Sequence, residues 1–350
     1  MDKKLIIDGR EISQTAPSYI IAEMSANHLM DKDRAMRIID AAADAGADAI
    51  KLQTYTADTI TIDCDNEYFQ IKQGTIWDGT TLHKLYQEAY TPWEWQADLM
   101  AHAKERGIAC FSSPFDPTAV DFLESIDCPA YKVASFEITD IPLIRKIARL
   151  GKPVIMSTGI SEMADIERAV NACKEEGNTQ VALLKCTSSY PAPYEEINLR
   201  TIPNMAEAFD VVTGLSDHTM GHDVAVASIA LGAKVIEKHL TLARADGGAD
   251  AEFSMEPQEF KEMVDGIRNV EKALGRVTYD LTAKGRKNRE FSRSLFVVED
   301  IPTGGTITEK NVRSIRPGFG MHPMYLDEVM GRTVPDGAAK GTPLSWEILG

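Results

Sequence analysis

The chain has 350 residues, of which 44% are hydrophobic and 26% are charged, and its formal net charge at pH 7 is -16. This length allows one large domain of roughly 250 residues plus a smaller one, and no apolar run approaches the ~18 residues of a membrane span. The acidic balance would repel nucleic acid and anionic membranes, and the N-terminal apolar run is too short for a signal peptide, so we expect a cytoplasmic protein that binds neither.

Short runs rich in β-branched residues alternate with helical patterns through most of the chain. Six of the seven intervals between run starts measure about 21 to 29 residues, which accommodates a strand, a helix and two short loops. Eight such repeats predict a (β/α)8 barrel, an α/β fold with a parallel sheet and right-handed crossovers. The runs begin near residues 19, 48, 109, 130, 153, 181, 210 and 235.

The helical patterns carry their own start and stop signals. Gly46, Gly107 and Gly177 each follow such a pattern, which is typical of a helix end. Thr91 precedes a proline at the start of a second pattern and is predicted to cap that helix. Ser161 is predicted to open a later one.

The connection between the second and third runs is much longer than the others. It covers roughly residues 55 to 90 and contains "EYFQIKQGTIWDG". A loop of this length in a compact barrel is usually functional, and its place after a strand end predicts a lid or a substrate-specificity loop. The alternative is a peripheral insertion with no role in function.

The βα pattern stops near residue 277, and the following stretch "YDLTAKGRKNREFSRS" is polar and basic. From Ser294 onward, short strands are interrupted by Gly and Pro, which is typical of a small, mostly β domain. We therefore predict a barrel over residues 1–277, a linker over 278–293 and a small domain over 294–350.

Each barrel strand is predicted to end in polar residues. The carboxyl ends of the strands carry the active site in barrels of this kind, so these side chains are expected to converge. Side chains alternate along a strand, so only some of the lysines can point inward. The polar residues at the strand ends are Glu23, Lys51, Gln53, Ser112, Ser113, Lys132, Ser135, Glu137, Ser157, Lys185, Ser188, Ser216, Asp217, His218, Glu237, Lys238 and His239.

His218 and His239 close the seventh and eighth runs, which are neighbours in the barrel. Both imidazoles could therefore reach one metal ion at ~2.0 to 2.1 Å. With no third protein ligand at an obvious spacing, positions remain for water and substrate oxygens, as suits a metal that polarises a carbonyl. A mixed nitrogen and oxygen shell suits Mn2+ or Mg2+ and is less natural for tetrahedral Zn2+, which stays an alternative; we expect Mn2+, with Mg2+ or Co2+ also possible.

Lys51 and Lys132 could hold a phosphate and a carboxylate of a small anionic substrate. Glu23 is the natural candidate for proton transfer, the alternative being a buried partner for one of these lysines. The hydroxyls that could join the two lysines are Ser113, Ser135 and Ser157.

These segments resemble the sialic acid synthase family along nearly the whole chain, in order. Within the family, "TIWDGTTLHKLYQEAYTPWEW" and "YKVASFEITDIPLI" are most similar to the pseudaminic acid synthase branch. The matching segments are "AEMSANH" (22–28), "IKLQT" (50–54), "SSPFD" (112–116), "YKVASFEI" (131–138), "PVIMSTG" (153–159), "GLSDHT" (214–219), "EKHL" (237–240) and "RPGFG" (316–320).

The resemblance implies a (β/α)8 barrel followed by an antifreeze-like (SAF) domain. It also implies an enzyme that condenses phosphoenolpyruvate with an N-acetylated amino sugar, giving a nonulosonic acid and phosphate. The implied acceptor is 2,4-diacetamido-2,4,6-trideoxy-L-altrose rather than N-acetylmannosamine. The alternatives are an N-acetylneuraminate or legionaminate synthase with another acetamido sugar, a Schiff-base aldolase acting through Lys185, and a noncatalytic carbohydrate-binding or spore-coat protein.

Position by position, the resemblance makes His218 and His239 the metal ligands and Glu23 an acid or base. Arg316 matches an arginine that the small domain delivers into a partner's barrel, so a homodimer with swapped C-terminal domains is implied. Ser188 stands where neuraminate synthases typically have an asparagine, which leaves the phosphate contact there open. The resemblance implies that Lys51, Ser113, Lys132, Ser135, Ser157 and Ser216 hold phosphoenolpyruvate, that Ser188 is a further substrate-binding residue, and that Gln53, Tyr190 and the candidate catalytic acids Glu137 and Asp250 face the sugar.

Overall fold

The structure is a computed structural model, and it describes residues 3–72, 74 and 77–350. The described part of the chain divides into two compact units, Met1–Gly275 and Arg276–Gly350. Three positions of the predicted lid, Gln73, Thr75 and Ile76, lie outside the described residues. None of the helices in these ranges has the length and apolar character that crossing a membrane requires.

The first unit opens with a hairpin that sequence analysis did not predict. Strands β1 (Lys4–Ile7) and β2 (Arg10–Ser13) pair antiparallel. The two-residue turn Asp8–Gly9 joins them, and its positive φ angles of 47° and 78° are those that an Asp-Gly hairpin turn requires. Leu5 and Ile12 are fully buried in the core of the first unit, so the hairpin forms part of its hydrophobic interior.

Eight parallel strands of the described residues close into a barrel, which confirms the predicted fold class. Each barrel strand pairs with the next in the chain, and the last pairs with the first. The strands begin within two residues of the starts of the predicted runs. In chain order they are β3 (Tyr19–Glu23), β4 (Ala49–Thr54), β5 (Ala109–Pro114), β6 (Tyr131–Val133), β7 (Val154–Ser157), β8 (Val181–Cys186), β9 (Val212–Asp217) and β10 (Val235–His239).

Helices follow the barrel strands, and those between two strands form the crossovers that parallel pairing requires. In chain order they are α1 (Lys32–Ala45), α2 (Ala57–Ile60), α3 (Leu82–Ala89), α4 (Trp93–Glu105), α5 (Pro117–Ser125), α6 (Ile141–Ala148), α7 (Met163–Glu175), α8 (Thr201–Phe209), α9 (Asp223–Ala230) and α10 (Pro257–Leu274). Single turns of 3-10 helix lie at Ser135–Glu137, Tyr194–Glu196 and Arg244–Asp246.

The predicted end of α1 is confirmed. Gly46 takes a left-handed conformation with a φ of 89°, and its backbone N–H donates to the carbonyl of Ala42. At the other end, the Asp31 side chain accepts from the backbone N–H groups of Asp33 and Arg34. The helix is therefore closed at both ends by hydrogen bonds.

Two predicted helix starts are wrong. Helix α4 has no side-chain cap, because the hydroxyl of Thr91 is buried and lies 3.1 Å from Nε2 of His28 instead. Helix α7 is capped by Glu162 rather than Ser161, in a reciprocal capping box with Asp165. At Thr91 a competing hydrogen-bond partner replaces the cap, whereas the Ser161 hydroxyl has no hydrogen-bond partner among the described residues.

The second unit, all of which the structure describes, is built on two-stranded antiparallel sheets around a small apolar core. The segment predicted as a linker, residues 278–293, contains a short helix, α11 (Ala283–Asn288), and a 3-10 turn at Arg289–Phe291. Strand β11 (Ser294–Val297) pairs with β13 (Val312–Ile315), and β12 (Gly305–Thr306) pairs with β14 (Thr333–Val334). The remaining elements are 3-10 turns at Pro323–Tyr325 and Trp346–Ile348 and the short helix α12 (Leu326–Val329).

Candidate active site

The carboxyl ends of the barrel strands bring together two lysines and two glutamates. Glu23 at the end of β3 pairs in register with Lys51 of β4, and Lys51 Nζ lies 2.8 Å from Glu23 Oε2. Glu237 of β10 lies between the two lysines, with its Oε1 3.6 Å from Nζ of Lys51 and 3.6 Å from Nζ of Lys132. All four residues are buried, so their charges interact with little screening by water.

Serine hydroxyls accompany both lysines. Lys51 Nζ donates to Ser113 Oγ at 3.3 Å, and Lys132 Nζ donates to Ser157 Oγ at 2.7 Å. We call Lys51, Lys132 and these two serines the cationic end of the pocket. Two ammonium groups with hydroxyl neighbours form a site suited to a ligand with more than one negative charge.

The buried charged groups of this cluster shift one another's pKa values. Burial raises the pKa of Glu23 to about 7, with Lys51 opposing the shift and Glu237 adding to it. Burial also acts against the charged form of Lys51, but the carboxylates of Glu23 and Glu237 outweigh it and raise the pKa of Lys51. Glu23 can therefore hold or release a proton near neutral pH, beside a lysine that stays charged.

Glu237 is a residue for which sequence analysis gave no role. Although burial alone would raise its pKa, Lys132 and Lys51 outweigh burial and lower it, so Glu237 is a carboxylate. Ser216 Oγ donates to its Oε1 at 3.2 Å, and its Oε2 has no hydrogen-bond partner within the described ranges. A signal was present, because Glu237 stands two residues before His239 and strand alternation places both on one face.

Gly159, which follows β7, allows two serines to approach each other. A Cβ at this position would lie 2.1 Å from Ser188 Oγ and 2.8 Å from Ser135 Oγ, so a side chain here would displace them. The backbone N–H of Gly159 donates to Ser135 Oγ at 3.1 Å. Ser135 and Ser188 thus lie on either side of one glycine and form a small polar cradle.

His218 and His239 lie together, with ring centroids 5.3 Å apart and an interplanar angle of 61°. Nδ1 of His218 donates to the Thr187 carbonyl at 3.1 Å, which leaves its Nε2 for a ligand. Burial lowers the pKa of His239 well below 6.5, so this ring is neutral. Nδ1 of His239 is buried and has no hydrogen-bond partner among the residues described.

This arrangement fits a divalent metal ion. An ion bound at ~2.0 to 2.2 Å by one nitrogen of each ring places the ring centroids roughly 5 to 6 Å apart, and the separation here is 5.3 Å. A neutral imidazole such as that of His239 is the form that binds metals. Over the part of the chain that the structure describes, no group of three or more His, Cys, Asp or Glu side chains could hold a metal, so further ligands would be water or substrate.

A second end of the pocket is organised around an amide, a hydroxyl and a carboxyl group. Gln53 Nε2 donates to Glu23 Oε1 at 3.0 Å and to Ser25 Oγ at 3.1 Å. The hydroxyl of Ser25 in turn donates to Oδ2 of Asp250, and burial raises the pKa of Asp250. We call Gln53, Ser25 and Asp250 the amide end of the pocket.

Aromatic rings border the two imidazoles. The Tyr190 ring lies 4.5 Å from the ring of His218, and the Phe253 ring lies 4.9 Å from the ring of His239, measured between centroids. Tyr190 and Phe253 are 5.2 Å apart. The predicted contact residue Tyr190 is thus next to the paired histidines, and Phe253, in the segment after β10, is a neighbour that sequence analysis did not identify.

Glu137 ends the 3-10 turn after β6. Burial raises its pKa to about 7, and the charge of Lys132 opposes the shift. Its Oε2 is buried without a hydrogen-bond partner among the described positions. Glu137 is therefore a second carboxyl group with a proton affinity suited to neutral pH.

Two further strand-end lysines make contacts of a different kind. Lys238 Nζ lies 2.7 Å from Asp217 Oδ2 and donates to the Thr219 carbonyl at 2.5 Å. Lys185 Nζ donates to the Cys186 carbonyl at 2.6 Å and to the Thr187 hydroxyl at 3.3 Å. Lys238 alternates along β10 with Glu237 and His239, so it points away from the cluster.

Family models match both units of the chain. A model of the NeuB family matches residues 38–279, and a model of the SAF domain matches residues 292–349. The second match includes Arg316, which is exposed and follows β13.

Curated proteins and a solved structure are similar over nearly the full chain. Pseudaminic acid synthase from Campylobacter jejuni is 46% identical over 314 residues, which is 90% of this chain and 91% of that protein. Pseudaminic acid synthase from Helicobacter pylori is 42% identical over 330 residues, which is 94% of this chain and 97% of that protein. The crystal structure of the spore coat polysaccharide biosynthesis protein spsE from Bacillus subtilis is 34% identical, has a TM-score of 0.68 and covers 99% of both chains.

Proposed function

This chain belongs to the NeuB family, and on that premise we propose that it acts as a pseudaminic acid synthase. It condenses phosphoenolpyruvate with 2,4-diacetamido-2,4,6-trideoxy-L-altrose, giving a nonulosonic acid and phosphate. The relatives that bear this name support the identity of the reaction. The single observation that carries the proposal is a pair of imidazoles beside two buried lysines, which suits an anionic donor that reacts with a carbonyl.

We assign phosphoenolpyruvate to the cationic end. Its phosphate and carboxylate need positive partners, and Lys51 and Lys132 would stabilise both groups in a site with little water. Glu237, 3.6 Å from each lysine, keeps the two ammonium groups near each other. The hydroxyls assigned to the donor are those of Ser113, Ser135, Ser157, Ser188 and Ser216.

The condensation joins C3 of phosphoenolpyruvate to the aldehyde carbon of the open-chain sugar, whose oxygen gains a proton. Water then adds at the cationic C2 and loses a proton, and cleavage of the C–O bond releases phosphate. Glu23 is suited to these proton transfers, because burial raises its pKa to about 7. Lys51, 2.8 Å away, favours the ionised form of Glu23 once the proton has left.

His218 and His239 are the residues that would hold a divalent metal ion, which when bound supplies Lewis acidity toward the carbonyl of the sugar. We propose Mn2+, with Mg2+ or Co2+ as alternatives, because a shell of two imidazoles and several oxygens suits these ions. The chain itself fixes the His218 ring, since the Thr187 carbonyl accepts from its Nδ1 at 3.1 Å.

The sugar is assigned to the amide end. Gln53 and Asp250 offer hydrogen-bonding groups for hydroxyl and acetamido substituents, and the Asp250 carboxyl would disfavour an anionic ligand in its place. Tyr190 borders the same end, and Glu137 is a second candidate for proton transfer at the sugar, with a pKa raised by burial to about 7.

Product analysis tests the reaction. The purified chain is incubated with phosphoenolpyruvate and, separately, with the 2,4-diacetamido sugar, its stereoisomers and N-acetylmannosamine, and phosphate release and product mass are measured. We expect turnover with the L-altrose derivative. Neuraminate formed from N-acetylmannosamine, with no product from the 2,4-diacetamido sugar, would refute the assignment.

Metal removal tests the second part of the proposal. We expect EDTA to abolish turnover and added Mn2+ to restore it. Metal content measured on the His218→Ala and His239→Ala proteins should fall relative to the unsubstituted chain. Full turnover after exhaustive chelation would contradict a metal role.

A Schiff-base aldolase acting through Lys185 is the competing reaction. The amino group of Lys185 donates to the Cys186 carbonyl and the Thr187 hydroxyl, contacts that favour a structural role. Borohydride reduction in the presence of substrate should leave the chain unlabelled, whereas a stable adduct on Lys185 would support the aldolase.

Two further parts of the proposal concern assembly and location. We propose a cytoplasmic homodimer in which Arg316 of one chain serves the barrel of the other, an arrangement that domain swapping permits. Mixing inactive Arg316→Ala and His218→Ala proteins, with exchange of subunits, should restore roughly a quarter of the activity if each site uses two chains. No recovery after confirmed exchange would contradict it.

A further inference from the structure

A third ring joins Tyr190 and Phe253 beside the paired histidines. Trp77 lies 5.5 Å from Tyr190 between ring centroids, and Tyr190 lies 5.2 Å from Phe253. We call Trp77, Tyr190 and Phe253 the aromatic wall. Because Tyr190 and Phe253 also contact His218 and His239, the wall borders the place where the carbonyl of the sugar reacts.

Trp77 comes from the long connection between β4 and β5. Its indole Nε1–H donates to the Ala249 carbonyl at 3.0 Å, in the segment that follows β10. Ala249 directly precedes Asp250, which belongs to the amide end. This hydrogen bond therefore fixes a ring of the long connection against the end of the pocket that we assign to the sugar.

Two rings of the aromatic wall present no polar atom to a ligand. The indole N–H of Trp77 is used by the Ala249 carbonyl. Phe253 has no polar atom in its side chain. At these two positions the wall therefore offers rings rather than hydrogen bonds to a ligand.

A surface of this kind distinguishes a methyl group from a hydroxyl group. A methyl group packed on aromatic rings loses only apolar contact with water, which is favourable. A hydroxyl group in the same position gives up its hydrogen bonds to water without replacement. The wall therefore favours a sugar with deoxy positions over the same sugar with hydroxyls.

We propose that the aromatic wall selects the acceptor sugar through its C6 methyl group, with Trp77 as the specificity-determining residue. This inference rests on the proposed function, since it concerns the sugar of that reaction. Trp77 thereby gives the long connection a role in choosing the substrate.

Steady-state kinetics on Trp77→Ala and Trp77→Phe test the proposal. The two acceptors are 2,4-diacetamido-2,4,6-trideoxy-L-altrose and its analogue with a hydroxyl group at C6. The unsubstituted chain should prefer the 6-deoxy sugar, and the ratio of the two kcat/KM values should fall about tenfold in Trp77→Ala. KM for phosphoenolpyruvate should change less than about twofold, because the cationic end is untouched. Trp77→Phe, which keeps a ring, should retain more of the preference.

Trp93→Phe is the matched control. The Trp93 indole N–H also donates to a backbone carbonyl, that of Tyr55, at 3.1 Å, but its ring stacks on Phe122 rather than on the wall. We expect its acceptor ratio to equal that of the unsubstituted chain. Circular dichroism and thermal unfolding establish that all variants are folded.

The outcomes separate the inference from the proposed function. If the unsubstituted chain does not use the 2,4-diacetamido sugar, the proposed function fails and this inference fails with it. If that sugar is used but the acceptor ratio in Trp77→Ala is unchanged, or falls equally in Trp93→Phe, only the role of the wall is overturned.

Discussion

Lysines at the strand ends of one barrel have two kinds of surroundings. Lys51 and Lys132 point into the barrel, where they share Glu237 at 3.6 Å, and Lys51 also has Glu23 at 2.8 Å. Lys238 points away from this cluster and has the Asp217 carboxylate at 2.7 Å and a backbone carbonyl at 2.5 Å. The difference teaches that the direction of the side chain, rather than the residue type or the presence of a counter-ion, decides which lysine binds a ligand and which stabilises the fold.

Replacing an inward lysine should have the largest effect. In Lys51→Met or Lys132→Met, one of the two positive charges opposite the donor is lost, and kcat/KM for phosphoenolpyruvate should fall about a thousandfold. Phosphate release at varied phosphoenolpyruvate gives the value. Lys185→Met is the control, and a loss below tenfold in both inward variants would mean that the cationic end does not bind the donor.

Replacing the outward Lys238 should affect stability instead. Lys238→Met leaves the Asp217 carboxylate buried without its cation, which should lower the free energy of unfolding by about 3 kcal/mol. Urea denaturation monitored by circular dichroism measures this. The double variant Asp217→Asn with Lys238→Met should recover part of the loss, and equal destabilisation in both variants would show that the pair is not the cause.

Glu137, whose raised pKa the inward Lys132 opposes, should make the stability of the protein depend on pH. Burial raises its pKa from 4.5 to about 7, so between these values an unfolded chain has lost the proton that the folded chain keeps. The stability from this group is therefore lost as pH rises from 4.5 to 7. Glu137→Gln has no such titration, so its unfolding free energy relative to that of the unsubstituted chain should increase by about 2 to 3 kcal/mol between pH 5 and pH 8.

Urea denaturation of both proteins at the two pH values provides this measurement. Glu256→Gln is a useful control, since its carboxyl group caps a helix outside the cluster. A difference in unfolding free energy that does not change with pH would contradict the raised pKa of Glu137.

Lys185 should give the smallest effect. It is partly buried and bonds to the Cys186 carbonyl and the Thr187 hydroxyl without a carboxylate partner. Lys185→Met should therefore change the free energy of unfolding by less than about 1 kcal/mol and kcat/KM by less than about twofold. A large loss of activity with normal stability would move Lys185 into the group of functional lysines.

The barrel could be predicted from the sequence because its signals are local and repeated. Each strand needs only a short apolar run, and the connecting helices set a regular interval between runs. The hairpin β1–β2 was missed although its Asp-Gly turn is a recognised signal. Its strands have only four residues each, which is too short for a clear alternating pattern.

The site was partly predictable for the same reason. His218 and His239 were identified because consecutive strands are neighbours in a barrel. Glu237 contacts lysines on β4 and β6, which are not neighbours of β10 in the sheet, so its role depends on contacts across the barrel interior. Trp77 and Phe253 come from connections, where no periodicity marks the direction of a side chain.

The absence of a Cβ atom at Gly159 has a consequence for the engineering of this scaffold. Even the methyl group of an alanine at position 159 would overlap the hydroxyl oxygen of Ser188, because its Cβ would lie 2.1 Å from that oxygen. A library randomised at codon 159 and selected for product formation should therefore return only glycine codons. Among distant relatives, a residue other than glycine at this position should indicate a protein that no longer catalyses the reaction.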